Sequence, residues 1–154
     1  EPNGTYAIGP DGKQVFIEYA LPIDTPSLML ELIEAVNNAD SMTIDNAHET
    51  YARIHMGTVH IHPFWDGNGR IARLLANIPL LRAGLPPLTI SQADRRQYIR
   101  LLANYQIGVG RLRRSTGVWP EPEKLYDFSE YCRANYSSTR DLLAAAFAVQ
   151  NRRT

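Results

Sequence analysis

Twelve consecutive residues, His62 to Arg73, read HPFWDGNGRIAR. His62 titrates near neutral pH and suits a general base. Gly67-Asn68-Gly69 stand just ahead of a helical run, where backbone N–H groups without helical acceptors and the positive end of the dipole favour an anion. Two glycines around one asparagine permit tight turns and let an anion approach the backbone closely. Arg70 and Arg73 are three apart and share a helical face. Two guanidinium groups beside such a terminus make a polyphosphate site. A carboxylate next to phosphates is repelled unless a divalent cation bridges them, so Asp66 implies Mg²⁺. A base, a metal ligand, an anion nest and two arginines are phosphoryl- or nucleotidyl-transfer equipment. Each part also has a plain reading: Pro63 and Gly67 as an interhelical turn, Asn68 as an N-cap, the arginines as solvated helix residues. The plain readings together do not explain why every position carries the residue type that one chemistry needs.

The elements that must position this loop are mostly helical. Gly9-Pro10-Asp11-Gly12 separates two β-prone runs and reads as a hairpin turn. Two strands alone are marginal, so the hairpin must lean on something else. Thr25-Pro26 reads as an N-cap followed by Pro at the first helical position, with Leu28, Leu32 and Val36 as the inward stripe and Asn37-Asn38 as the end. A second helix is expected over 45–59, with Tyr51, Ile54 and Val59 inward. A third follows the motif loop, with Ile71, Leu74, Leu75, Ile78 and Leu81 as its apolar stripe, a kink at Pro79 and a cap at Gly84. Ser91 with Asp94 resembles a capping box opening a fourth helix that carries Tyr98, Leu101, Leu102 and Tyr105. After an Arg- and Gly-rich loop, two more helices are expected over 121–135 and 138–152. Strands do not alternate with helices, which argues against a parallel α/β sheet. The fold class is mostly α with one small hairpin.

The chain of 154 residues suits one domain with a core of its own. Lys plus Arg and Asp plus Glu are 16 each, for a formal net charge of zero, so no global field draws the chain to nucleic acid or to an anionic membrane. No apolar run approaches the ~20 residues that a membrane span needs, and no signal peptide is visible. The single cysteine, Cys132, cannot form an internal disulfide and fits a reducing, cytoplasmic compartment. A translocated effector is compatible with the same facts. The opening Glu1-Pro2, without a methionine, reads as a fragment of a longer chain. His48, His55, His60 and His62 cluster in sequence, but without a cysteine or an HExxH pattern they do not read as a zinc site, and His55 reads as a helix-packing histidine. Arg111, Arg113 and Arg114 read as a solvated basic loop.

The stretch His62–Arg73 resembles the signature loop of Fic-domain proteins, HPFx(D/E)GNGRxxR, at every fixed position: His62, Pro63, Phe64, Asp66, Gly67, Asn68, Gly69, Arg70 and Arg73. The likeness extends to His55 upstream, to Ala83-Gly84-Leu85-Pro86-Pro87 after the motif helix, and to Tyr98 with Leu102. It covers the chain from about the hairpin to the helix around Phe128. The resemblance implies a single Fic-type helical domain over 1–154: a flap hairpin over 1–20, a helical core over 25–136 holding the motif loop 62–73, and a C-terminal helix over 137–154. It implies transfer of AMP from ATP to a Tyr, Thr or Ser hydroxyl of a target protein, with release of pyrophosphate. In that scheme His62 is the catalytic base and Asp66 holds Mg²⁺. Gly67, Asn68, Gly69, Arg70 and Arg73 bind the nucleotide. The flap residues Lys13, Gln14, Val15, Phe16, Ile17, Glu18 and Tyr19 register the target segment by strand addition.

Relatives that phosphorylate tend to carry Lys where this chain has Gly69, and others use UTP or CDP-choline. The alternatives on the same loop are therefore phosphotransfer, another nucleotidyl or phosphocholine transfer, and non-catalytic nucleotide binding. The base pocket is expected near Tyr98 or the Asn104-Tyr105 pair, with core packing as the plain reading of all three. Many Fic proteins are held inactive by a helix bearing (S/T)xxxE(G/N). That pattern is absent from this sequence, and Ser41 to Asn46, the nearest approach, reads as a loop and N-cap. Two expectations follow: an inhibitory helix upstream in cis or on a partner protein, or no such helix and a constitutively active domain.

Overall fold

The turn Gly9–Gly12 closes as its composition requires. Gly9 N–H donates to Lys13 O at 2.8 Å and Gly12 N–H to Gly9 O at 3.0 Å, with Gly12 at φ +78. It joins β1 (Gly4–Ile8) to β2 (Gln14–Glu18) in an antiparallel pair, Gly4 opposite Glu18 and Ile8 opposite Gln14. The computed structural model describes residues 3–152. Residues 1–2 of the expected hairpin segment and 153–154 of the expected C-terminal helix lie outside the described residues. The hairpin leans on α4 (Arg95–Val109) and on an ion pair, Arg111 to Glu18 at 3.1 Å. The basic loop is therefore not simply solvated: Arg111 pins β2, and Arg114 N–H donates to Asp24 Oδ1 at 3.0 Å.

Helix α1 (Thr25–Asn38) buries Leu28, Leu32 and Val36 as the spacing requires. Its N-cap is Asp24 rather than Thr25, whose hydroxyl donates to Leu21 O at 2.9 Å inside the first turn. Helix α2 (Ala47–Ile61) begins and ends two residues later than the sequence implied, and most of its surface is buried between α1, α3 (Asn68–Arg82) and α5 (Tyr126–Asn151). A helix apolar around most of its circumference belongs in the interior. Three of its buried polar residues find a partner: Thr58 Oγ1 donates to Ile54 O, His60 Nε2 meets Gly110 O at 2.8 Å, and His55 Nε2 meets the Tyr98 hydroxyl at 3.1 Å. A Cβ at Gly57 would come within 2.8 Å of Val118, so the glycine permits the 118–119 segment to close over α2.

Helix α3 (Asn68–Arg82) corrects the expected stripe. Its inward residues are Ala72, Ala76, Pro79 and Leu80, while Leu74, Ile78 and Leu81 are exposed. Small residues let α2 and α3 approach closely, which puts the larger side chains on the outer face. The helix runs through Pro79 and ends at Gly84 (φ +73) in a Schellman closure, with Leu85 N–H to Leu80 O and Gly84 N–H to Leu81 O. Asn77 then bonds both ways with Leu88, and Tyr136 Oη donates to Pro86 O, so the Pro-Pro segment is held from two helices. Ser91 caps a short 3-10 turn, Gln92–Asp94, rather than the fourth helix directly. Its own N–H goes to Asn135, not to Asp94, so no reciprocal capping box forms. The two expected C-terminal helices are one, α5 (Tyr126–Asn151), entered through a 3-10 turn at Pro122–Leu125. No Gly or Pro lies between Asn135 and Ser138 to break it. Phe128, Tyr131, Cys132 and Tyr136 pack into the core, and the helix beyond is largely exposed. Among the described residues no helix is long and apolar enough to cross a membrane.

Candidate active site

The motif loop spans the end of α2 and the start of α3, so two rigid helices hold it at both ends. His62 is the C-cap of α2 in a left-handed conformation (φ 55, ψ 57), its N–H donating to Thr58 O. Gly67 caps α3 at φ 81, a backbone state that a side chain would strain. Asn68 closes the loop. Its Oδ1 accepts from Phe64 N–H at 3.0 Å and its Nδ2 donates to Phe64 O at 2.6 Å. The buried amide thus shapes the loop, and the N–H groups of Asn68, Gly69 and Arg70 are the first-turn donors without helical acceptors. Gly69 needs no special conformation, and an added Cβ would meet only Arg73 Nη1 at 3.6 Å. What its lack of a side chain provides is open space over the helix terminus.

A cleft of about 550 Å³ gathers His62, Asp66, the Gly67–Gly69 backbone, Arg70 and Arg73 on one side. The facing wall is α4, through Arg95, Tyr98, Ile99, Leu102 and Gln106, with Tyr19 of the hairpin at the edge. The seven expected residues of the motif loop are therefore brought together, Asn68 mainly as the loop's brace, and Tyr19 of the flap joins them. Burial lowers the pKa of the half-buried His62, opposed by a backbone hydrogen bond at Val59, so the imidazole is neutral at pH 7 and able to take a proton. Asp66 lies 3.1 Å from Arg70, both well exposed. The Tyr98 hydroxyl meets His55 Nε2 at 3.1 Å, and burial lowers the pKa of His55 to about 3.

Of the expected flap residues, Lys13 sits in the turn beside Asp11, Gln14 to Glu18 form β2 with Ile17 buried, and Tyr19 follows the strand. Tyr19 is the only one of these seven that lines the cleft. Asn104 and Tyr105 do not line it: Tyr105 is buried against His60, with ring centroids 5.6 Å apart. The residues that sequence reasoning missed are Arg95, Ile99 and Gln106. Their signal is the helical spacing they share with Tyr98 and Leu102 along one side of α4. Among the described residues no group of three or more His, Cys, Asp or Glu could hold a metal by itself. One exposed carboxylate beside an open helix N-terminus would suit a Mg²⁺ that brings phosphate ligands of its own, since Mg²⁺ usually keeps water and phosphate ligands.

A sequence profile described as the Fic/DOC family matches residues 4–80. The chain belongs to the Fic/DOC family. Among curated proteins it is 43% identical over 82 residues to "Protein adenylyltransferase Fic" of Drosophila yakuba, covering 53% of this chain and 16% of that one. The Culex quinquefasciatus protein of the same name is 42% identical over 72 residues, 47% of this chain and 14% of that one. The match thus spans about a sixth of the length of these Fic relatives. A solved Fic-domain-containing signalling protein from Bacteroides thetaiotaomicron superposes with a TM-score of 0.64 at 30% identity, over 88% of this chain and 50% of that one.

Proposed function

We propose that this Fic domain transfers AMP from ATP to a Tyr, Thr or Ser hydroxyl of a protein target. The observation that carries the reading is the His62 imidazole facing the same cleft as the open N-terminus of α3 and two arginines. His62 takes the hydroxyl proton, the oxygen bonds to the α-phosphorus, and the bond from that phosphorus to the bridging oxygen breaks as pyrophosphate leaves. The Asn68–Arg70 N–H groups meet phosphate oxygens, and Arg70 and Arg73 offset the charge at the β and γ end. Asp66 would hold Mg²⁺, which neutralises phosphate charge when bound. The nucleobase lies along Ile99, Leu102 and Gln106, where the motif cleft meets a second, largely apolar one between β1 and α4. The relatives named as adenylyltransferases support the choice of AMP. The hairpin presents the target segment, and an inhibitory helix upstream or on a partner belongs to the same reading.

Labelled ATP tests this. Label at the α-phosphate is expected to appear on protein, and label at the γ-phosphate only in pyrophosphate. γ-Label on protein would mean phosphotransfer, and no label from either with ATP still bound would mean a binding module. His62→Ala is expected to lower transfer by about 10²–10⁴ while calorimetric ATP affinity stays close to wild type.

A further inference from the structure

We infer that Tyr19 is a positioning residue for the His62 imidazole, so that the hairpin sets the working orientation of the base. The inference rests on the reading of His62 as the base and adds a residue that acts through it. The two rings are parallel within 2°, with centroids 3.7 Å apart. So direct an overlay is not what two aromatic rings choose freely, since their quadrupoles favour offset or edge-to-face packing. The frame around Tyr19 imposes it. Its N–H donates to Asn3 O at 2.8 Å, the preceding Glu18 is tied to Arg111, and the following Ala20 is buried. The Thr5 side chain of the other strand lies beside its hydroxyl. Both strands of the hairpin therefore act on this one ring.

The chemical consequence follows from the contacts of His62. Its backbone is out of the helix in a left-handed state, so α2 alone does not orient the side chain. A neutral imidazole carries one N–H and leaves the other nitrogen with its lone pair as the base. The left-handed backbone alone leaves the ring free to tilt about its axis. The Tyr19 stack removes this freedom and fixes the plane in which the lone pair lies. Of the charged groups lining the same cleft, Asp66, Arg70, Arg73 and Arg95, the first two pair with each other.

The test compares Tyr19→Leu and Tyr19→Phe in the whole chain. Tyr19→Leu is expected to lower kcat for AMP transfer by about 10–10²-fold, the scale of a misplaced reacting group, with KM for ATP changed less than about twofold. Tyr19→Phe keeps the ring and should restore kcat to near wild type. In NMR spectra of labelled protein, the His62 ring protons should be shifted upfield by the Tyr19 ring, a shift kept in Tyr19→Phe and lost in Tyr19→Leu. Unchanged His55 and His60 signals show that the fold is intact. Wild-type kcat in Tyr19→Leu, or a His62 signal indifferent to the substitution, overturns the inference. The base reading fails separately, if His62→Ala transfers at the wild-type rate.

Discussion

Asn68 illustrates how a side chain can serve a site by shaping the loop around it. Both ends of its amide bond to Phe64, and this fixes where the following N–H groups point. The same division between shaping and reacting separates the histidines. His62 is half-buried and faces the cleft, whereas His55 and His60 are fully buried in α2 and held neutral. Burial lowers His55 to about 3, and burial opposed by the Gly110 carbonyl lowers His60 to about 4. The unfolded chain binds these protons near 6.5 and the folded chain does not. Stability is therefore complete above about pH 6.5 and falls as the pH drops toward 4, by about 1 kcal/mol per group for each pH unit below 6.5. Urea denaturation at pH 7, 6 and 5 should show this decline. His60→Gln keeps a donor toward Gly110 O and removes the titration, so its decline should be shallower. An equal slope in the two proteins would mean that His60 contributes nothing to acid lability.

At the scale of elements, α3 must both close on α2 and offer its first turn to a ligand, and small residues solve the first task. Ala72 and Ala76 are fully buried against α2, while Leu74 is 66% exposed. Ala76→Leu is expected to overpack this contact and cost about 1–3 kcal/mol in denaturant unfolding. Leu74→Gln should change stability by no more than about 0.5 kcal/mol. The reverse ranking would restore the stripe that the sequence alone implies. That stripe misled because spacing arguments weigh Leu and Ile as inward and leave Ala undecided. Where chemistry was local, the sequence was readable: the Pro-Asp-Gly turn, the Leu28–Leu32–Val36 face, the Gly84 cap and the whole loop from His62 to Arg73. Contacts distant along the chain left no such trace. Arg111 reaches Glu18, 93 residues away, and Tyr19 stacks on His62 from another element. The α4 wall was half legible, because Tyr98 and Leu102 were visible as a pair while Arg95, Ile99 and Gln106 gained meaning only from the cleft they face.

For the whole molecule, zero net charge leaves no long-range field to gather anions, so any preference for polyphosphate must come from the cleft itself. There Arg70, Arg73 and Arg95 stand against one carboxylate, Asp66. In the free protein Asp66 already holds Arg70 at 3.1 Å, so metal-free ATP must compete for that guanidinium and meet the carboxylate's repulsion. With Mg²⁺ the same carboxylate gains a cation to hold, and Arg70 is released toward the phosphates. One substitution should therefore change sign with the metal. Asp66→Asn is expected to tighten ATP binding several-fold in the presence of a chelator and to weaken it in excess Mg²⁺, as read by calorimetry. Affinity should fall from ATP to ADP to AMP. Raising salt should weaken ATP binding more than AMP binding, because exposed charges are screened over roughly 10 Å at 0.1 M. An Asp66→Asn effect of the same sign with and without Mg²⁺ would remove Asp66 from the metal site and leave it only as the partner of Arg70.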